Sequence, residues 1–160
     1  MERINKQIDE VMRKAFYDLL EEKVSSDPPD YEWLVRLYTE MRDRLCNLLK
    51  QTSLIRREIM ESMEPDFFNQ LLRENVFNYE DFYKLIEFIF HKCKQLGSPE
   101  RDNETNEKLK EITDFINSGN ATFGTVVPMF VRNANQCIDK IYEDIKSFKE
   151  RLTPANNSFH

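Results

Sequence analysis

With 160 residues the chain has the size of one ordinary domain, and side chains that are 40% apolar and 12% aromatic are enough to fill one hydrophobic core. Three glycines and six prolines are too few for collagen-like, low-complexity or turn-rich all-β classes, so helix is favoured before any pattern is read. A net charge of −6, from 23 basic and 29 acidic side chains, argues against a chain built to neutralise nucleic-acid phosphate.

The opening Met1-Glu2-Arg3-Ile4-Asn5-Lys6 scatters charge and holds no apolar run, so it reads as neither signal nor transit peptide and points to cytosol or nucleus. Ile4, Ile8, Val11, Met12, Ala15, Phe16, Leu19 and Leu20 then recur at helical spacing, which predicts a first helix over about 3–23 with this stripe in the core. Ser25-Ser26-Asp27-Pro28-Pro29-Asp30 must end it, because a residue before proline avoids the α region and proline has no amide donor. The same residues open the next helix, with Asp27 or a neighbour as cap, and Leu34, Val35, Tyr38, Met41, Leu45, Leu48 and Leu49 carry it to about Lys50. Ser53 starts a short helix, and Glu64-Pro65-Asp66 interrupts it and begins another.

Asn78 with Asp81 three residues on resembles a capped start, after which Phe82, Leu85, Ile86, Ile89, Phe90, Cys93 and Leu96 form a wide apolar face ending at Gly97, the best sequence candidate for a central helix. Ser98-Pro99 caps a polar stretch that turns amphipathic at Leu109 and stops at Gly119. Thr125 is the expected cap of the last helix, with Pro128 in its first turn and Thr153-Pro154 at its end. No run approaches ~20 apolar residues, so no membrane span is expected. The expected architecture is one all-α bundle of six or seven helices over 1–152, cored by the first, second, fifth and seventh, with a flexible tail over 153–160.

Catalytic chemistry finds little support. His91 and His160 are the only histidines, no Cys-x-x-Cys pair exists, and three odd cysteines (Cys46, Cys93, Cys137) inside apolar patterns read as buried thiols, so no metal site is expected. His91 and Cys93 lie two positions apart and do not share a helix face. Gly97, Gly119 and Gly124 are too dispersed for a phosphate loop, so no nucleotide cofactor is expected either. Carboxylate pairs such as Glu21 with Glu22 or Glu58 with Glu61 read best as solvated helix faces, an acid and base pair being the alternative.

Charge is unevenly placed: residues 33 to 57 carry six basic against two acidic side chains, whereas 100 to 114 carry six acidic against three basic. The expected functional surface is the proline-stiffened corner Asp27, Pro28, Pro29, Asp30, with Trp33 as aromatic anchor and Arg36, Arg57, Arg44 and Arg101 as cationic groups for an acidic or phosphorylated protein partner. The competing reading is that the corner only turns the chain, that Trp33 packs against it, and that Arg57 and Arg101 form internal ion pairs with Glu58 and Asp102.

Lys14-Ala15-Phe16-Tyr17-Asp18-x-Leu20, Asp27-Pro28-Pro29-Asp30-Tyr31 and Glu40-Met41-Arg42-Asp43-x-Leu45 together resemble the N-terminal part of the T-complex protein 11 family. Ile55-Arg56-Arg57-Glu58-Ile59 is similar to that family's Leu-Arg-x-Glu-Ile element. Leu96-Gly97-Ser98-Pro99-Glu100-Arg101-Asp102 is similar to its Leu-Cys-Ala-Pro-x-Arg-Asp turn, with Gly97-Ser98 in place of Cys-Ala. The resemblance implies an all-helical, non-enzymatic protein linked with modulation of cyclic-AMP and protein-kinase-A signalling and, in animal members, with sperm function. A fainter resemblance, Ala121-Thr122-Phe123-Gly124-Thr125-Val126-Val127 to the aromatic-Gly-x-Val helix start of Bcl-2-like proteins, implies instead a groove for amphipathic death-domain helices.

Overall fold

A computed structural model describes residues 2–157, with side chains at residue 7 and over 9–152. Seven α-helices follow one another: α1 (Glu2–Ser25), α2 (Glu32–Cys46), α3 (Leu54–Ser62), α4 (Pro65–Arg73), α5 (Tyr79–Leu96), α6 (Asp102–Asn117) and α7 (Phe123–Asn157). A single 3-10 turn, Pro99–Arg101, leads into α6, and no strand occurs among the described residues. All seven helices contribute to one cluster of buried apolar side chains, from Leu20 of α1 to Ile141 of α7.

Local chemistry sets most of the boundaries. The Ser53 side chain accepts the Arg56 N–H, and Glu64 accepts the N–H groups of Asp66 and Phe67 ahead of Pro65 in the first turn of α4. Asn78 and Asp81 form a reciprocal capping box, each side chain accepting the other's backbone N–H. Gly119 has φ of +84°, the left-handed conformation that closes a helix end without a Cβ penalty.

Three expectations about boundaries are corrected. α7 begins two residues ahead of Thr125, with Thr122 accepting the Thr125 N–H while Thr125 Oγ1 accepts the Thr122 N–H, so the two threonines cap reciprocally and Pro128 falls in the second turn. Two threonines three apart make either a plausible cap from sequence, and the hydrophobic Phe123 between them joins the helix because its ring packs inward against Phe82 at 5.0 Å. At the other end Thr153-Pro154 does not stop α7, which continues to Asn157, because a proline this close to a terminus forfeits a single ladder bond. The remainder of the expected tail, residues 158–160, lies outside the described residues. Finally α2 ends at Cys46 rather than near Lys50, where the Arg56 guanidinium donates to the carbonyls of Cys46 (2.7 Å) and Leu49 (3.5 Å).

The central helix is the first half of α7, not α5. Between Gly124 and Ile138 only Arg132 and Gln136 are exposed, whereas α5 shows Tyr79, Tyr83, Glu87 and His91 to solvent and is buried on one face. The reason is the neighbourhood: α1, α2, α5 and α6 all pack on α7. A chain of rings ties this core together, from Tyr38 stacked on Phe68 at 4.0 Å, through Phe77 and Phe82, to Phe130 of α7 at 5.7 Å from Phe82.

The first helix is the largest correction. Most of its described apolar stripe is not in the core: Leu20 is buried, as is Val24 one turn on, but Val11, Met12, Phe16 and Leu19 are all exposed, while the side chains of Ile4 and Ile8 lie outside the described residues. The face of α1 turned toward α7 is instead polar, with Glu10, Arg13, Lys14, Tyr17 and Glu21 lining one groove with Arg132, Asn135, Gln136 and Asp139 of α7. Periodicity identifies a stripe but not its direction, and here the outer face of α7 is polar and takes the polar side of α1.

Candidate docking surface

The corner between α1 and α2 is held from inside. Ser26 Oγ donates toward the carbonyls of Lys23 (2.8 Å) and Pro28 (2.9 Å), and the Asp30 N–H reaches the Lys23 carbonyl at 2.9 Å. Asp30 then accepts the Glu32 N–H at the start of α2, and the Asp27–Pro28 peptide bond is cis. Pro28, Pro29, Asp30 and Glu32 face Val35, Asn69 and Arg73 across an open groove of about 490 Å³. Arg73 joins no ion pair among the described residues, which leaves a guanidinium at the edge of that groove.

Trp33 does not stand alone at this corner. Its ring stacks on Phe16 of α1 at 5.3 Å with planes 16° apart, and the Lys23 ammonium lies 4.8 Å above it. Trp33 therefore joins α2 to the outward stripe of α1 while staying half-buried. Arg36, one turn further, is exposed and pairs with Glu32 at 3.3 Å.

The remaining arginines are spread over the molecule rather than gathered. Arg57 is exposed on α3 and pairs with Glu61, not with Glu58. Arg44 bridges α2 to α7, donating to Asn135 (2.9 Å) and Asp139 (2.5 Å) with its guanidinium over the Tyr142 ring, while the Tyr142 hydroxyl donates to the Arg44 carbonyl. Arg101 lies at the other side, where Nη2 and Nε grip Asp144 of α7 at 2.9 and 3.2 Å and Nη1 reaches Glu104. Thus the structure brings together Asp27, Pro28, Pro29, Asp30, Trp33 and Arg36, and separates Arg57 and Arg101 from them.

Two polar features escaped the sequence reading. Lys92 of α5 is buried, its side chain only 3% exposed, and donates to Glu58 at 2.7 Å and Gln95 at 2.9 Å. It would otherwise have read as another solvated lysine, and only the apolar positions on either side of it, Ile89 and Cys93, hinted at a place on the inner face. Asn133, fully buried in α7, donates to the Lys108 carbonyl of α6 at 3.1 Å.

The second cavity of note, about 370 Å³, lies between α5, α6 and α7 beside Arg101, and is lined by Asp102, Glu104, Thr105 and the thiols Cys93 and Cys137 among others. Burial pushes both thiols up, away from the thiolate form a nucleophile needs. Asp144, the partner of Arg101, is pushed down by its hydrogen bonds from that guanidinium, opposite to the upward shift of a general acid. Among the described residues no cluster of His, Cys, Asp and Glu is arranged to hold a metal ion, and no helix is long and apolar enough to cross a membrane.

Comparison with known proteins gives one consistent answer. The family model described as T-complex protein 11 matches residues 1–146. The chain is 28% identical over 153 residues to T-complex protein 11 homolog of Rattus norvegicus, covering 89% of this chain and 26% of that protein. It is 30% identical over 108 residues to the Homo sapiens homolog (67% and 21%) and 24% identical over 155 residues to T-complex protein 11 of Mus musculus (91% and 27%). The chain therefore spans about a quarter of the length of these curated relatives. No solved structure matches it.

Proposed function

The chain belongs to the T-complex protein 11 family, and we propose that it is a non-enzymatic, helical protein-binding module whose partner surface is the Asp27-Pro28-Pro29-Asp30 corner with Trp33 and Arg36. The observation that carries this reading is the corner itself. It is stiffened by two prolines and internal hydrogen bonds, opens on a groove edged by Arg73, which joins no ion pair among the described residues, and stands next to an aromatic side chain. A rigid corner loses little entropy on docking, and guanidinium forks suit carboxylate or phosphate groups on a partner. The setting we assign to it, through the family resemblance, is modulation of cyclic-AMP and protein-kinase-A signalling in cytosol or nucleus.

Arg57 and Arg101 stand away from this corner. Arg57 is retained as an outlying contact on α3, and Arg101 serves first to hold α6 to α7.

The test is affinity capture with mass spectrometry from the native cell, followed by affinity measurement with Arg36→Glu and Arg57→Glu together. A docking role predicts a loss of more than ~2 kcal/mol in binding with less than about 0.5 kcal/mol in folding stability, since both side chains are exposed. Unchanged affinity, or a collapse of the melting temperature, removes the assignment.

A further inference from the structure

The outward face of α1 is an amphipathic helix presented the wrong way round for a bundle. Val11 is 69% exposed and Met12 64%, and with Ala15, Phe16 and Leu19 they form a stripe more than two turns long that points away from α7. The stripe does not end on α1, because Phe16 stacks on Trp33 of α2 and extends the apolar surface across the helix pair. A contiguous apolar surface of this kind, on a helix whose polar side lines a groove with Arg132, Asn135 and Asp139 of α7, is an unfilled binding face rather than a scatter of exposed side chains.

The borders of the stripe state what fills it. Asp9 lies one and two turns ahead of Met12 and Phe16 on one side, and Asp18 and Glu22 follow Val11 and Ala15 on the other. Lys14 is tied to Asp18 at 2.8 Å, and Lys23 is held by Asp30 and the Trp33 ring. Among the described residues Asp9 and Glu22 join no ion pair, against Arg13 as the one such cation between them, so the net free charge along the stripe is negative. A second copy of the chain would bring these acidic borders against each other and add a net charge of −6 to each side, and an anionic lipid surface would be repelled in the same way.

We infer that the outward stripe of α1 docks an amphipathic helix of a partner protein whose apolar face is flanked by basic side chains. This rests on reading the chain as a protein-binding module, but it uses a face distinct from the groove edged by Arg73. The partner helix supplies apolar anchors at i, i+3 or i+4, and i+7 to lie along Val11, Ala15 and Leu19, and lysines or arginines that meet Asp9 and Glu22.

The experiment titrates the whole chain with a fluorescent 18-residue peptide that carries leucine on one helical face and lysine on the other, at ~0.15 M salt. The same peptide with glutamate in place of lysine is the control. The chain is expected to bind the leucine–lysine peptide at least tenfold more tightly than the leucine–glutamate peptide. Val11→Thr with Met12→Gln should weaken that binding at least tenfold, and Asp9→Lys with Glu22→Lys severalfold, with unchanged circular dichroism. Arg36→Glu with Arg57→Glu should leave it unaltered, so a failed corner assignment and a failed stripe assignment give different results. The inference is overturned if the chain does not bind the leucine–lysine peptide, if the stripe variants bind it as the wild type does, or if both peptides bind equally. It is also overturned if sedimentation shows a dimer that Val11→Thr with Met12→Gln dissolves.

Discussion

The first half of α7 and the exposed face of α1 are built from the same kind of sequence and meet opposite fates. Both repeat apolar residues every three or four positions, yet Val127, Phe130, Ala134 and Ile138 are buried while Val11, Met12, Phe16 and Leu19 are exposed. What separates them is the other side of each helix. Around most of α7 its neighbours are apolar faces of α2, α5 and α6, whereas α1 meets the remaining polar strip of α7 with its own polar side. An amphipathic pattern is a statement about a helix and an absent partner, and the partner here comes from the rest of the fold for α7 but not for α1.

Stability measurements should show the contrast directly. Phe130→Ala removes a ring with 1% exposure that packs on Phe82, and should cost about 3–5 kcal/mol in urea unfolding through lost burial and an unfilled cavity. Met12→Ala, on the outward stripe, should stay within about 0.5 kcal/mol of wild type. Equal losses at both positions would show that the α1 stripe is covered in solution.

A second contrast lies inside one ion pair. Glu58 is half exposed while its partner Lys92 is buried, so the two ends of the pair are not equivalent. Glu58→Ala leaves a buried ammonium with Gln95 as its remaining partner and should cost about 1–3 kcal/mol. Lys92→Met leaves only an exposed carboxylate and fills the same volume with an apolar chain, so it should cost less or nothing. The reverse order in thermal melts would mean that Lys92 is hydrated in the native state.

Gly124 sharpens the comparison at a place where the end of α1 and the buried half of α7 pack closely. A Cβ at this position would collide with Ser25 Oγ and stand 3.3 Å from Ser25 Cβ. Gly124→Ala should therefore destabilise by roughly 1–2 kcal/mol, and Ser25→Ala in the same chain should restore part of the loss by removing the hydroxyl. Strict additivity of the two substitutions would show that the helices separate to accept the methyl group.

How far the sequence reveals all this depends on the range of the interaction. The capping box of Asn78 and Asp81, the Ser53 cap and the Gly119 stop were legible because each is complete within four residues. All-α architecture was legible for the same reason, since helical periodicity is local. The direction of the α1 stripe was not, because it is set by residues of α7 more than a hundred positions away. The same holds for Arg44, whose partners Asn135 and Asp139 are 91 and 95 positions distant, and for the displaced centre of the bundle. For the candidate surface, the corner and its neighbours Trp33 and Arg36 are contiguous in sequence and remain together in space. Arg57 and Arg101 joined them on charge alone, and charge carries no information about place.

A small, pH-dependent effect is expected at Arg101 and Asp144, the contact that clamps the 3-10 turn before α6 onto the far part of α7. The Arg101 guanidinium donates through two nitrogens to the Asp144 carboxylate and holds its pKa below the ordinary value of 3.8. In the folded chain this carboxyl therefore takes up a proton later than in the unfolded chain as pH falls. The stabilisation is complete above the ordinary carboxylate range and is lost as pH drops through it and past the lowered value. Arg101 stays charged throughout and adds no pH dependence of its own. Asp144→Asn should accordingly lower the melting temperature by a small amount at neutral pH, with the two proteins converging as the pH falls past the lowered pKa, where the wild-type carboxyl is protonated as well. Added salt should shrink the neutral-pH difference, because the pair is partly open to solvent. A gap between the two proteins that stays constant from neutral to acid pH would mean that Asp144 acts through packing rather than through its charge.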